Sequence, residues 1–106
     1  MPPLKTPDNR YIVVKGRLWR ATNPDLAEDE RTRLTRRLMK ARREVRLARD
    51  NSDEQHLARA RAEVHEAKVA LGERGPVWWT DGAPDYNQHL VKNTPYADWY
   101  DRQAGK

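Results

Sequence analysis

Leu34-Thr-Arg-Arg-Leu-Met-Lys-Ala-Arg-Arg-Glu-Val-Arg-Leu-Ala48 and, a few residues on, Leu57-Ala-Arg-Ala-Arg-Ala-Glu-Val-His-Glu-Ala-Lys-Val-Ala-Leu71 decide the fold. In the first run the apolar residues Leu34, Leu38, Ala41, Val45 and Ala48 alternate steps of four and three. In the second, Leu57, Ala60, Val64, Ala67 and Leu71 alternate steps of three and four. Each is a heptad seam, the spacing that keeps one stripe of a helix against a partner. Asn51-Ser-Asp53 leaves room only for a short turn, so the spacing predicts an antiparallel helical hairpin.

The ends of both helices carry their own signals. Asn23-Pro24 predicts a start at 24 and a helix over 24–50. Asn caps free N–H groups, and Pro tolerates the first helical position because its missing N–H would be unpaired there. Glu28, Asp29 and Glu30 follow, where carboxylates suit the positive end of the helix dipole. Ser52 with Gln55 reads as a capping box for a second helix over 53–71. Gly72 suits the residue after the last turn, and Gly75-Pro76 prevents continuation. In this register Ala48 faces Leu57, Ala41 faces Val64 and Leu34 faces Leu71. The small alanines let the helices approach closely.

Residues 31–49 hold nine Lys and Arg against a single acid, Glu44, a formal +8 that exceeds the +5 of the whole chain. Arg33, Arg36, Lys40, Arg43 and Arg46 are predicted to point away from the second helix, with Arg37, Arg42 and Arg49 flanking the seam. The register sets Arg49 toward Glu54 favourably, but Arg42 toward Arg61 and Glu44 toward Glu63, so the flanks are expected to be uncomplementary. Asp29 and Glu30 are spaced to serve Arg33. A cationic face of this kind neutralises phosphates and releases counterions, and Arg adds bidentate contacts that Lys cannot make. The candidate nucleic-acid-binding residues are therefore Arg33, Arg36, Arg37, Lys40, Arg43 and Arg46. The competing reading is a solvated, charged helix face with salt bridges to carboxylates of the second helix. Met39 and Leu47 lie among these bases and point to an apolar contact as well, within the chain or with a partner.

Composition bounds the rest. A chain of 106 residues makes one domain, 1–106, with a modest core. Hydrophobic content of 37% against 35% charged marks a surface-rich protein. There is no Cys, so disulfides and thiolate metal sites are excluded. There is no Phe but four Trp and four Tyr, so buried rings bring N–H and O–H groups that need partners. No run reaches the length of a membrane span, and the start lacks the apolar core of a secretory signal. The expected location is the cytoplasm.

Outside the hairpin, residues 1–10 hold three Pro and read as an extended lead. Tyr11-Ile-Val-Val-Lys-Gly-Arg-Leu-Trp-Arg20 predicts a β-hairpin turning at Lys15-Gly16. Val77-Trp-Trp-Thr80 offers a possible third strand, Asp81-Gly-Ala-Pro-Asp85 a loop, and Thr94-Pro95 the start of a short last helix. Trp78, Trp79, Asp81, Tyr86 and His89 crowd into this stretch. They read either as an aromatic pocket or as the packing that the missing Phe would otherwise supply. Asp81, Asp85 and His89 are spaced to share a helical face, but Gly82 and Pro84 break that helix and remove the metal reading. No Ser/His/Asp order, Gly-rich phosphate loop or metal quartet is present in the sequence.

Lys15-Gly-Arg-Leu-Trp-Arg-Ala-Thr-Asn-Pro24, Ala67-Lys-Val-Ala-Leu-Gly-Glu-Arg-Gly-Pro-Val-Trp-Trp79 and Asn93-Thr-Pro-Tyr-Ala-Asp-Trp-Tyr100 resemble a family of small, functionally uncharacterised bacterial proteins. The resemblance spans nearly the whole chain. It implies a bacterial, cytoplasmic source and carries no activity, ligand or catalytic residue.

The expected fold is α+β: a small antiparallel sheet, a protruding two-helix hairpin and a C-terminal aromatic segment over 77–106. The expected function is a non-catalytic module that binds a polyanion, nucleic acid first, without cofactor or metal. The alternatives are a protein–protein adaptor or homodimer through the hairpin, and a small enzyme around Trp78 and His89.

Overall fold

The computed structural model describes residues 4–104. The chain forms an α+β fold with a three-stranded antiparallel sheet and two long helices packed together. It divides into two compact units: residues 4–22 with 79–104 carry the sheet, and 23–78 carry the helical hairpin.

In the sheet unit, β1 (Leu4–Lys5), β2 (Tyr11–Val14) and β3 (Arg17–Arg20) lie in that order. Tyr11 pairs with Arg20, Ile12 with Trp19, Val13 with Leu18 and Val14 with Arg17. Lys15 and Gly16 make the turn between β2 and β3, both with positive φ, 52° and 77°. That is the twist-matched turn a two-residue hairpin requires, and Gly16 supplies half of it without steric cost.

The third strand is not where the sequence places it. Val77–Thr80 forms no strand, and Leu4–Lys5, read as part of an extended lead, pairs with Ile12 and Val13. The reason lies in the turn between them. The Thr6 carbonyl oxygen accepts from the Asn9 N–H at 2.9 Å, Pro7 fixes the first central position, and Asn9 takes a left-handed φ of 64°. The lead's first three residues lie outside the described residues. The opposite edge, along β3, is occupied by residues 88–91. Leu18 N–H donates to His89 O, Gln88 N–H to Leu18 O, and Val91 N–H to Gly16 O. Leu4–Lys5 thus takes the β2 side of the hairpin and residues 88–91 the β3 side. A single-turn 3₁₀ helix (Val91–Asn93) and α3 (Ala97–Ala104) complete this unit.

The helical unit has α1 (Glu28–Asp50) and α2 (Glu54–Leu71). Leu34, Leu38, Ala41 and Ala48 of α1 are buried, as are Ala60, Ala67 and Leu71 of α2. These belong to the two predicted seams, whose other members Val45, Leu57 and Val64 are half-buried, and Leu34, Leu38, Ala67 and Leu71 form one core cluster with Leu26 and Val64 against it.

Both starts need correction. α1 begins at Glu28, not 24, because the Asn23 side chain accepts from the Asp25 N–H at 2.9 Å and closes a local turn rather than capping a helix. The cap of α2 is Asp53, not Ser52: its carboxylate accepts from the His56 N–H at 3.0 Å, while Ser52 sits in the turn with φ 53°. The far end follows the sequence. Gly72 is left-handed, with Gly72 N–H bonded to Val69 O and Glu73 N–H to Lys68 O, a Schellman closure. A Cβ on Gly72 would come within 3.0 Å of both Asn23 Cβ and Trp78 Cδ1. Gly72→Ala therefore adds two close contacts to the left-handed strain of about 1–2 kcal/mol. The expected loss of stability is at least that, read from the midpoint of chemical denaturation.

Candidate functional site

The basic helix face follows directly from the seam. With Leu34, Leu38, Ala41 and Ala48 turned to α2, the 3.6-residue period carries Arg36, Lys40, Arg43 and Arg46 away from it, and all four are exposed. Arg33 is exposed too and pairs with Glu30 of the preceding turn, as its spacing predicts. That hydrogen bond from Arg33 holds the Glu30 carboxyl below its ordinary value. Among the described residues Arg36, Lys40, Arg43 and Arg46 make no ion pair. Met39 and Leu47 stand between them, 59% and 50% exposed.

The two flanks of the seam differ from each other and from the expected register, and Arg49 and Glu54 make no ion pair among the described residues. On one flank Arg37 reaches across to Glu63 at 2.6 Å and Glu66 at 3.0 Å, and Glu44 meets His56 Nε2 at 2.7 Å. Arg37 is therefore engaged within the hairpin. A groove of about 280 Å³ runs along this flank, floored by Ala41 and Ala60, with Lys40 and Arg59 on its rims. The other flank gathers Arg42, Lys68 and Arg74, with the Glu73 carboxylate partly offsetting them at Lys68. Burial first, then the nearby positive charges of Arg74 and Arg42, holds the Lys68 ammonium below its ordinary range. The Arg74 guanidinium also lies 3.5 Å from His65 Nδ1. Lys68 and Arg74 thus add to the positive surface. The sequence reading missed them because they sit at the end of α2 and beyond it, outside the run that carries the charge excess.

The aromatic stretch divides between the units. Trp78 belongs to the helical unit, while Trp79, Asp81, Tyr86 and His89 belong to the sheet unit. There Trp79 is buried edge-on against Tyr11, with ring centroids 5.8 Å apart, and its indole N–H donates to Ala83 O. Arg10 lies 4.8 Å from the same indole ring and pairs with Asp81. That contact, with the Ala83 N–H, holds the Asp81 carboxyl down. Tyr86 meets His89 and Tyr96 edge-on.

The sheet unit centres on Tyr11, which is fully buried. Its hydroxyl donates to Asp85 at 3.2 Å and accepts from the Tyr86 N–H at 2.7 Å. Asp85 also takes Arg20 at 3.2 Å. Nearby, Asp8 accepts from the Tyr96 hydroxyl at 2.6 Å, from Thr6 at 2.7 Å and from the Arg10 N–H at 3.1 Å. Burial works to raise the Asp8 carboxyl, but these bonds outweigh it and hold it below its ordinary value. Asp8, Arg10, Tyr11 and Arg20 escaped the sequence reading because their partners lie far along the chain.

Burial pushes the Tyr11 phenol up from 10.0 to about 12. A raised value means that the fold resists ionising Tyr11. The stability this contributes is complete below pH 10.0 and is lost as the pH rises toward about 12. An alkaline decline in the sheet unit is expected, and it should be shallower in Tyr11→Phe. Denaturation midpoints across the alkaline range, read beside phenolate absorbance, check this.

Among the described residues no helix is long and apolar enough to cross a membrane, and no three His, Asp or Glu gather as metal ligands do. No protein-family model, curated protein or solved structure matches the chain.

Proposed function

We propose that the protein is a non-catalytic nucleic-acid-binding module that meets phosphates through the outer face of α1. The observation that carries this reading is the exposed row Arg36, Lys40, Arg43 and Arg46, which makes no ion pair among the described residues. Arg33 extends the row at one end. From residue 33 to 46 a helix rises about 20 Å, enough to meet several phosphates of one backbone. Lys68, Arg42 and Arg74 support the reading, since an anion beside them would relieve their mutual repulsion. Arg37 has a lesser share because Glu63 and Glu66 already hold it. The expected contact is phosphate, with weak sequence preference. Such a role fits the cytoplasm of a bacterial cell.

Titrating labelled duplex and single-stranded oligonucleotides at low and high salt tests the reading. Binding at low salt that weakens steeply with added salt is expected. Absence of binding at low salt removes it.

A second reading rests on Met39 and Leu47, two large apolar side chains left exposed on the same face. In it the hairpin pairs with another helix as an adaptor or homodimer. Sedimentation separates the two: a stable dimer broken by Met39→Glu favours the adaptor.

A further inference from the structure

The outer face of the sheet is partly apolar and bears cations. β2 reads Tyr-Ile-Val-Val, apolar on both sides, although an antiparallel strand with one wet face ordinarily alternates. Tyr11, Val13 and Leu18 are buried on the inner side. The pairing places Lys5, Ile12 and Trp19 side by side on the opposite face, with Val14 and Arg17 in the next row. Trp19 is 40% exposed and Val14 41%. Part of the Trp19 indole is therefore open on this face.

Charge narrows what this face can take. Lys5 and Arg17 lie on it, Lys15 stands in the adjoining turn, and the three strands hold no carboxylate. Arg17 is anchored by a hydrogen bond to Gln88 O and makes no ion pair among the described residues. An exposed indole among cations suits a ligand that is flat, apolar and anionic at regular intervals. Unpaired bases on a phosphate backbone have that chemistry. Duplex bases do not offer their faces, and a protein partner would call for acids as well as bases here.

From this we infer that Trp19 is a stacking platform for a base of single-stranded nucleic acid, with Lys5 and Arg17 meeting the flanking phosphates. The inference rests on the nucleic-acid reading above and narrows it to single strands for this surface.

The test compares an oligothymidylate with an abasic strand of equal length, both labelled, against the full chain at low salt. The wild type should prefer the strand with bases by about fivefold to 150-fold, the range of one stacked base. Trp19→Ala should bring that preference to near unity and leave abasic binding unchanged. Trp19→Phe should keep most of it, and circular dichroism checks that both variants fold. An unchanged preference in Trp19→Ala overturns the inference. So does a dimer that Trp19→Ala dissociates, which would assign the face to a second copy. Arg36→Glu with Arg43→Glu keeps the two readings apart. If that pair changes nothing while Trp19→Ala removes the preference, the helix reading fails and the sheet surface stands. If that pair weakens both probes while Trp19→Ala leaves the preference intact, the stacking platform fails and the helix reading stands.

Discussion

Leu34→Ala is expected to destabilise the helical unit by about 2–5 kcal/mol, the range for a buried leucine whose site cannot collapse. Leu34 is 2% exposed and shares its cluster with Leu38, Ala67 and Leu71. Alanines make up much of both seams, so few large side chains carry the packing. Leu71→Ala should behave alike, since Leu71 is as well buried, and its carbonyl also takes the Asn23 N–H. The loss compares with the whole stability of a small domain, roughly 5–15 kcal/mol. Met39→Ala is the control: its side chain is exposed, and a change within about 0.5 kcal/mol is expected. Urea denaturation followed by far-ultraviolet circular dichroism reads all three. An equal, small effect in each would mean that the seam does not hold the hairpin together.

Charge reversal on the outer face of α1 has the other large expected effect. Arg36→Glu combined with Arg43→Glu should weaken binding to any nucleic acid at low salt on the order of a hundredfold. It should also flatten the dependence of log affinity on log salt by about one for each phosphate that is no longer neutralised. Stability should change little, because both side chains are exposed and make no ion pair among the described residues. Arg37→Glu is the informative contrast. It removes the pairs to Glu63 and Glu66 and sets three carboxylates together, so it should loosen the hairpin as well as weaken binding. Affinity measured beside thermal unfolding separates the two effects.

The hairpin was legible because periodicity is a property of the chain itself. Leu34, Leu38, Ala41 and Ala48, with Ala60, Ala67 and Leu71, are buried as their spacing requires. Cap identity was harder, since Asn23, Ser52 and Asp53 all accept hydrogen bonds and neighbouring geometry chooses among them. Asn23 served a turn and Asp53 the helix. The flanks were misread for a different reason. A row-by-row register assumes that side chains meet directly across the seam, while Arg37 reaches both Glu63 and Glu66, nearly one turn apart. The strand at Leu4–Lys5 is two residues long, too short for any pattern, and only the Thr6-Pro7-Asp8-Asn9 turn announces it. The Tyr11, Asp85 and Arg20 group was illegible because its members come from opposite ends of the chain. The exposed bases of α1 could be read from sequence, whereas the Lys5, Ile12 and Trp19 row needed the strand pairing.

The sheet unit is discontinuous: residues 4–22 and 79–104 build it, and the continuous stretch 23–78 forms the hairpin. This orders the events of biosynthesis. As the chain leaves the ribosome, the hairpin has all of its contacts once Trp78 has emerged, and those contacts are local, which favours fast folding. Tyr11 must wait for Asp85 and Tyr86, and Asp8 for Tyr96. A finished hairpin draws residues 22 and 79 together and lowers the entropic cost of closing so long a loop. Early closure of the hairpin thus shortens the loop that remains between the two parts of the sheet unit.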